Sequence, residues 1–257
     1  MHSYKEILNI NYDRDYPEDC LLDLYIPQTD KPCPALLYFH GGGLESGSRK
    51  AVMQTPIGLL PQDGIALISI DYRMYPRAEF PDFLEDAAKA VAWAMKEKHD
   101  GFRFNKFYLG GVSAGAYISM MLYFDERYLG KYAISPNQLE GCLFDSGQPT
   151  VHFNVLRERG VDTRAVRLDD AAPLYFIDKT VKDPARTPRF LIFTAENDIP
   201  GRVEQTQLLL KTMKLFGYDE NRITFHFMKG FSHCQYIEAT DNKGESIYYP
   251  LLRRLIQ

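Results

Sequence analysis

The sequence predicts an α/β domain built on a mostly parallel sheet of eight strands, flanked by helices on both faces. Three observations carry that expectation. Short apolar runs bounded by turn residues recur from end to end, helical patterns lie between the later ones, and the first two runs alternate like half-exposed strands.

Lys5–Tyr12 and Cys20–Ile26 are the alternating pair, joined by the polar turn Asp13–Asp19, and read as two antiparallel strands. Pro34–Phe39 is nearly continuous apolar, as a strand buried on both faces should be. Ile65–Ile70 and Phe107–Gly110 are runs of the same kind, and Gly141–Phe144, Phe190–Thr194 and Thr224–Met228 complete the set. Between them, Phe83–Lys98 places Phe83, Ala87, Ala90, Val91 and Ala94 at helical spacing. Ala114–Phe124 is apolar almost all round, the mark of a buried helix. Val203–Phe216 carries Leu208, Leu209, Met213 and Phe216, then stops at Gly217. No repeat period or linker divides the chain, so 1–257 is expected to be one domain. The stretch 146–188 is its least regular part, rich in charge and proline, and is expected to form a small cap or lid over one end of the sheet.

Composition narrows the function. With 45% of 257 residues hydrophobic, the chain can bury one substantial core. Its 30 basic and 34 acidic residues leave a net charge of -4, with no basic field to hold phosphates, so nucleic acid is not an expected partner. No run of about 18 apolar residues spans a bilayer. The start, Met1-His2-Ser3-Tyr4-Lys5, lacks the apolar run of a secretory signal, and a cytoplasmic location is expected. Cys20, Cys33, Cys142 and Cys234 form no C-x-x-C pair and read as reduced thiols rather than a zinc site or a disulfide framework. Oligomeric state is left open.

The sharpest chemical signal is Gly111-Val112-Ser113-Ala114-Gly115, between the apolar strand ending at Leu109 and the helix from Ala114. A strand–turn–helix passage through G-x-S-x-G holds a serine in a strained turn with its hydroxyl above the sheet, which marks Ser113 as a nucleophile. His40-Gly41-Gly42-Gly43 follows the strand Pro34–Phe39. Successive glycines let backbone N–H groups converge on an oxyanion, each donor contributing roughly 3 kcal/mol, with the Ala114 N–H as partner donor. His40 is expected to orient this loop. A serine needs a base, and the base an orienting acid, in the chain order Ser, Asp or Glu, His. Ala195-Glu196-Asn197-Asp198 and Lys229-Gly230-Phe231-Ser232-His233 each follow a predicted strand. Asp198 is assigned as the acid, with Glu196 in reserve, and His233 as the base. The other histidines fit less well: His226 lies inside a strand, His99 at a helix end, His2 at the terminus and His152 in the cap. Asp71, Arg73 and Asp86 are read as loop anchors making charge-assisted hydrogen bonds.

Together, His40-Gly41-Gly42-Gly43, Asp71-Tyr72-Arg73, Gly111-Val112-Ser113-Ala114-Gly115 and Gly230-Phe231-Ser232-His233 resemble the hormone-sensitive-lipase and acetyl-esterase branch of the α/β-hydrolases. The resemblance runs from about Cys20 onward and is nearest to compact bacterial carbohydrate and acetyl esterases. It implies the α/β-hydrolase fold, a Ser113–His233–Asp198 triad, and an oxyanion hole from the amides of Gly41, Gly42 and Ala114. It implies a serine esterase working through an acyl-enzyme without metal or cofactor. The expected substrate is a small ester, an acetylated oligosaccharide first, with a feruloyl-type ester or an arylformamide next. The rival from another class is an inactive, ligand-binding relative. Two departures stand out: Leu44-Glu45-Ser46 replaces the tryptophan that often follows the glycines, and Cys234-Gln235-Tyr236 replaces small residues after the base.

Overall fold

The computed structural model describes residues 2–96, 102–180 and 187–256. All eight expected strands are present: β1 (Tyr4–Asn11), β2 (Leu21–Pro27), β3 (Cys33–Phe39), β4 (Ala66–Ile70), β5 (Phe104–Val112), β6 (Gly141–Asp145), β7 (Arg189–Asn197) and β8 (Ile223–Ser232). They form one sheet in the order β1-β2-β4-β3-β5-β6-β7-β8. β1 pairs antiparallel with β2, and β2 with β4; every later pairing is parallel.

The apolar runs are explained by burial on both faces. In β3, Ala35, Leu37 and Phe39 join one core cluster while Leu36 and Tyr38 join the other. The first cluster is covered by the helices α1 (Asp82–Lys96) and α2 (Ala114–Phe124). The second lies under a pair of 3-10 helices, Arg49–Gln54 and Pro56–Asp63, and a C-terminal helix whose Leu252, Leu255 and Ile256 are buried. Every residue of α2 is buried, which is why its sequence shows no polar face. Burying each of its larger apolar side chains contributes about 1.5–3 kcal/mol.

α1 begins one residue before the expected start; Glu97, Lys98 and His99 lie outside the described residues. After α2 come α3 (Glu126–Gly130), α4 (Phe153–Glu158), α5 (Ile177–Thr180), α6 (Arg202–Leu215) and α7 (Tyr249–Ile256). Within the expected cap, Ser146 to Leu156 is almost wholly buried and 157–170 faces solvent, while 181–186 lies outside the described residues. Val151 N–H donates to Arg167 O and Leu174 N–H to Pro149 O, tying this stretch into a compact insertion between β6 and β7.

The anchors expected around β4 are present. Arg73 grips the fully buried Asp86 with two guanidinium bonds of 2.8 Å and its own backbone N–H at 3.0 Å. Asp71 pairs with Arg49, whose Nε lies 2.9 Å from Asp23. All four cysteines are unbridged thiols. Among the described residues no helix is long and apolar enough to cross a membrane.

Candidate active site

The parallel register brings the chemistry to the carboxyl ends of β3, β5, β6, β7 and β8. Phe39 pairs with Gly111, Val112 with Asp145, and Asp145 with Phe193, so the residues that follow these strands converge above one sheet edge.

Ser113 is the turn itself. It stands at φ 54° and ψ -113°, a region costly for any residue with a Cβ, between the last residue of β5 and the first of α2. Its N–H donates to Asp145 O at 2.7 Å, and its carbonyl accepts from Tyr117 N–H at 3.0 Å. The close approach demands glycine at 115, where a Cβ would sit 1.9 Å from Phe39 O. Ala114 opens α2, so helix geometry offers its N–H no acceptor within the helix.

One side chain, His233, and one turn, the glycine turn, meet Ser113. His233 places Nε2 2.9 Å from Ser113 Oγ and Nδ1 2.5 Å from Asp198 Oδ1. The His233 side chain is 26% exposed and that of Asp198 is fully buried. Burial pushes the Asp198 carboxyl up, but His233, the Ser146 hydroxyl and the Ile199 N–H outweigh it and hold the group below its ordinary value. The glycine turn abuts the serine: a Cβ on Gly41 would lie 3.3 Å from Ser113 Cβ. Gly42 has φ +110°, where a Cβ would meet Ser46 O at 2.0 Å, and its carbonyl accepts from Glu45 N–H and Ser46 N–H. Among the described residues, no backbone–backbone turn or loop bond uses the N–H of Gly41, Gly42 or Ala114.

The second layer explains why the turn is fixed. His40 stacks on Tyr72 at 4.6 Å, donates from Nδ1 to Gly41 O at 2.7 Å, and sets Nε2 3.3 Å from Asp71. Tyr72 OH donates to His40 O at 2.9 Å. Asn154 Nδ2 donates to Gly43 O from the start of α4. Glu196, the reserve acid, faces away: it is exposed and accepts from Gly230 N–H at 2.8 Å. Of the remaining histidines, His152 caps α4 and His226 stacks on Phe193 within β8. His2, at the amino end, donates its N–H to Gln62 O.

Three groups lie behind the Ser113–His233–Asp198 relay: Asp145 and Ser146, which carry no signal in the sequence, and Tyr236, which the sequence marks only as a departure after His233. Ser146 Oγ donates to Asp198 Oδ2 at 2.8 Å and lies 2.9 Å from Tyr236 OH, which in turn bonds Asp145. Cys234 and Tyr236, which depart from the expected small residues, pack inward here, and burial pushes the Cys234 thiol well up. Arg202, at the start of α6, clamps the Ser146 carbonyl.

Beside this group opens a cavity of about 540 Å³, lined by Gln148, Phe153, Val166, Ile199, Arg202 and Gln205 among others. Its lining includes Phe153, whose ring would lie 3.3 Å from a Cβ at Gly43, and Ile199, which follows Asp198 in sequence.

Residues 22–133 match the family described as BD-FAE. Esterase LipC of Mycobacterium tuberculosis is 34% identical over 93 residues, covering 35% of this chain and 23% of that protein. The chain spans only 5% and 23% of the first two curated relatives it matches. Among solved structures, carboxyl esterase 2 from the mycorrhizal fungus Tuber melanosporum superposes with a TM-score of 0.72 at 19% identity, covering 100% of this chain and 88% of that one. A truncated carbohydrate esterase from gut microbiota gives a TM-score of 0.71 at 19% identity, covering 90% of each chain.

Proposed function

Starting from a chain with the α/β-hydrolase fold, we propose that it is a serine carboxylic-ester hydrolase that works through an acyl-enzyme. The observation that carries this reading is the continuous relay Ser113 Oγ–His233–Asp198 at 2.9 and 2.5 Å beside a glycine turn. A hydroxyl 2.9 Å from an imidazole nitrogen can surrender its proton as it attacks. Asp198 holds the tautomer with the free electron pair on Nε2 and stabilises the imidazolium that forms. The oxyanion then develops toward the Gly41, Gly42 and Ala114 amides, where each well-placed donor is worth about 3 kcal/mol. His233 passes its proton to the leaving alcohol, and water, activated the same way, releases the acid and frees Ser113.

The substrate proposed is a small ester, with an acetyl group on an oligosaccharide first. Likeness in sequence to esterase LipC, and in fold to a carbohydrate esterase, supports it. A second reading has its own support: the cavity walls Phe153, Val166 and Ile199 suit an aromatic acyl group of the feruloyl kind. Hydrolysis of p-nitrophenyl acetate, methyl ferulate and acetylated xylo-oligosaccharides separates the two. Turnover of the acetyl esters, abolished in Ser113→Ala, is the expected result. Turnover of none of the three by the folded chain would favour the inactive, ligand-binding alternative.

A further inference from the structure

Behind the triad lies a second carboxyl that the mechanism does not use. Asp145 ends β6, is fully buried, and is clasped by the hydroxyls of Tyr236 and, at 2.7 Å, Tyr248. Tyr236 OH also lies 2.9 Å from Ser146 Oγ, and Ser146 Oγ lies 2.8 Å from Asp198 Oδ2. The result is an unbroken row of oxygens, Tyr248–Asp145–Tyr236–Ser146–Asp198, with four contacts at hydrogen-bond distance.

Each contact needs one hydrogen between its oxygens, because two lone pairs facing each other repel. Tyr236, Tyr248 and Ser146 bring one hydrogen apiece, one short of the four contacts. The missing proton must sit on a carboxyl. Asp198 is the poorer host: Oδ1 accepts from His233 and from Ile199 N–H at 2.7 Å, Oδ2 accepts from Ala195 N–H at 3.2 Å, and, against the push of burial, contacts with His233 and Ile199 N–H hold its carboxyl below the ordinary value. Among the described residues, the hydrogen-bond partners of the Asp145 carboxyl oxygens are the two phenols.

We propose that Asp145 is a neutral carboxylic acid in the resting protein, donating to Tyr236, and that its proton fixes the direction of the whole row. Tyr236 then donates to Ser146, Ser146 donates to Asp198, and Tyr248 donates to the remaining Asp145 oxygen. Asp198 thereby keeps a permanent hydroxyl donor on the oxygen that does not touch His233. Asp145 is a positioning residue for the acid that orients the base, a role that rests on the esterase reading; its protonation does not.

Burial acts in the same direction: it pushes the Asp145 carboxyl up to about 6, although the Tyr236 and Tyr248 hydroxyls lower it. Turning Tyr236 from donor to acceptor removes part of that lowering. The Asp198 charge raises the group further, while His233 pulls the other way. Tyr38 from β3 and the Cys234 thiol also face Asp145, and both are themselves pushed up by burial and by its charge. Arg202, the nearby cation, spends a donor on the Ser146 carbonyl.

The direct test is ¹³C NMR of protein labelled at aspartate Cγ, at pH 7, which needs no substrate. One Cγ resonance at the protonated position, lost in Asp145→Asn, is expected. All aspartates at the ionised position would overturn the proposal, whether or not the chain proves to be an esterase. The positioning role is read from kinetics. Asp145→Ala should lower kcat at least tenfold with little change in KM, and Asp145→Asn, whose amide donates to Tyr236 and accepts from Tyr248, should restore most of it. An alkaline loss of kcat/KM in the unsubstituted protein, absent from Asp145→Asn, is expected as well. An Asn variant as slow as the Ala variant would overturn the role. Should Asp145→Ala fail to fold, Tyr236→Phe breaks the row and must lower kcat in the same way.

Discussion

Replacing Asp198 by Asn changes no volume and isolates the charge behind His233. In the native site the carboxylate accepts four hydrogen bonds. An amide can match only part of this set. With its NH₂ toward His233, it faces the Ile199 N–H donor and forces the imidazole proton onto Nε2, so His233 can no longer accept from Ser113. With its NH₂ toward Ser146, it faces the Ala195 N–H and leaves the imidazolium without a counter-charge. The Coulomb attraction lost across 2.5 Å is about 6–7 kcal/mol at an effective dielectric of about 20. That figure is an upper limit, because the His233 side chain is 26% exposed and partly screened. A loss of about 5 kcal/mol remains, or roughly 10⁴-fold in kcat at about 1.4 kcal/mol per tenfold. Initial rates on p-nitrophenyl acetate with Asp198→Asn, with circular dichroism as the folding control, measure it. Glu196 cannot rescue the variant, since its carboxylate is turned to Gly230 N–H. Activity within tenfold of the unsubstituted protein would refute this reasoning.

Three further outcomes follow from particular contacts. Gly42→Ala pushes a Cβ to 2.0 Å from Ser46 O at φ +110°, so a folded variant should lose about 100-fold or more in kcat by displaced oxyanion donors; unchanged kcat would remove the glycine turn from the mechanism. Arg73→Ala leaves the fully buried Asp86 without its bidentate partner and should cost about 3–5 kcal/mol in urea unfolding; a cost under about 1 kcal/mol would mean that Asp86 finds another donor. Burial, with Arg202 and Arg157 adding, holds the His152 imidazole well below its ordinary value. The unfolded chain therefore takes up a proton that the folded chain refuses, and stability falls as pH drops below roughly 6.5. His152→Asn, which keeps an acceptor for the Asn154 N–H, should show a smaller fall in Tm between about pH 7 and 5; an equal fall would place the acid sensitivity elsewhere.

The legible part of this fold is what local pattern decides. α2 runs over the very residues its apolar stretch predicts, because a fully buried helix writes its burial into every position. The first two strands, β1 and β2, are visible through alternation, and the later ones through short apolar runs. The 3-10 pair Arg49–Gln54 and Pro56–Asp63 was not, since Pro56, Gly58 and Pro61 interrupt any helical period. α7 was missed as well: it is only eight residues long, and its Pro250 and paired arginines mask a buried stripe of Leu252, Leu255 and Ile256. At the site, Ser113, His233, Asp198 and the glycine turn each carry a local signature. Asp145 carries none, because its meaning depends on tyrosines 91 and 103 residues away in sequence. Strand geometry, which local pattern does not show, points the Glu196 side chain outward while Asp198 turns in to His233.

Treatment with a fluorophosphonate probe, followed by peptide mass spectrometry, tests the central claim most directly. One adduct on Ser113, formed quickly by the unsubstituted protein and at least a hundred times more slowly by His233→Ala, is the predicted result. No adduct on Ser113, or one that forms equally fast without the imidazole, would contradict it.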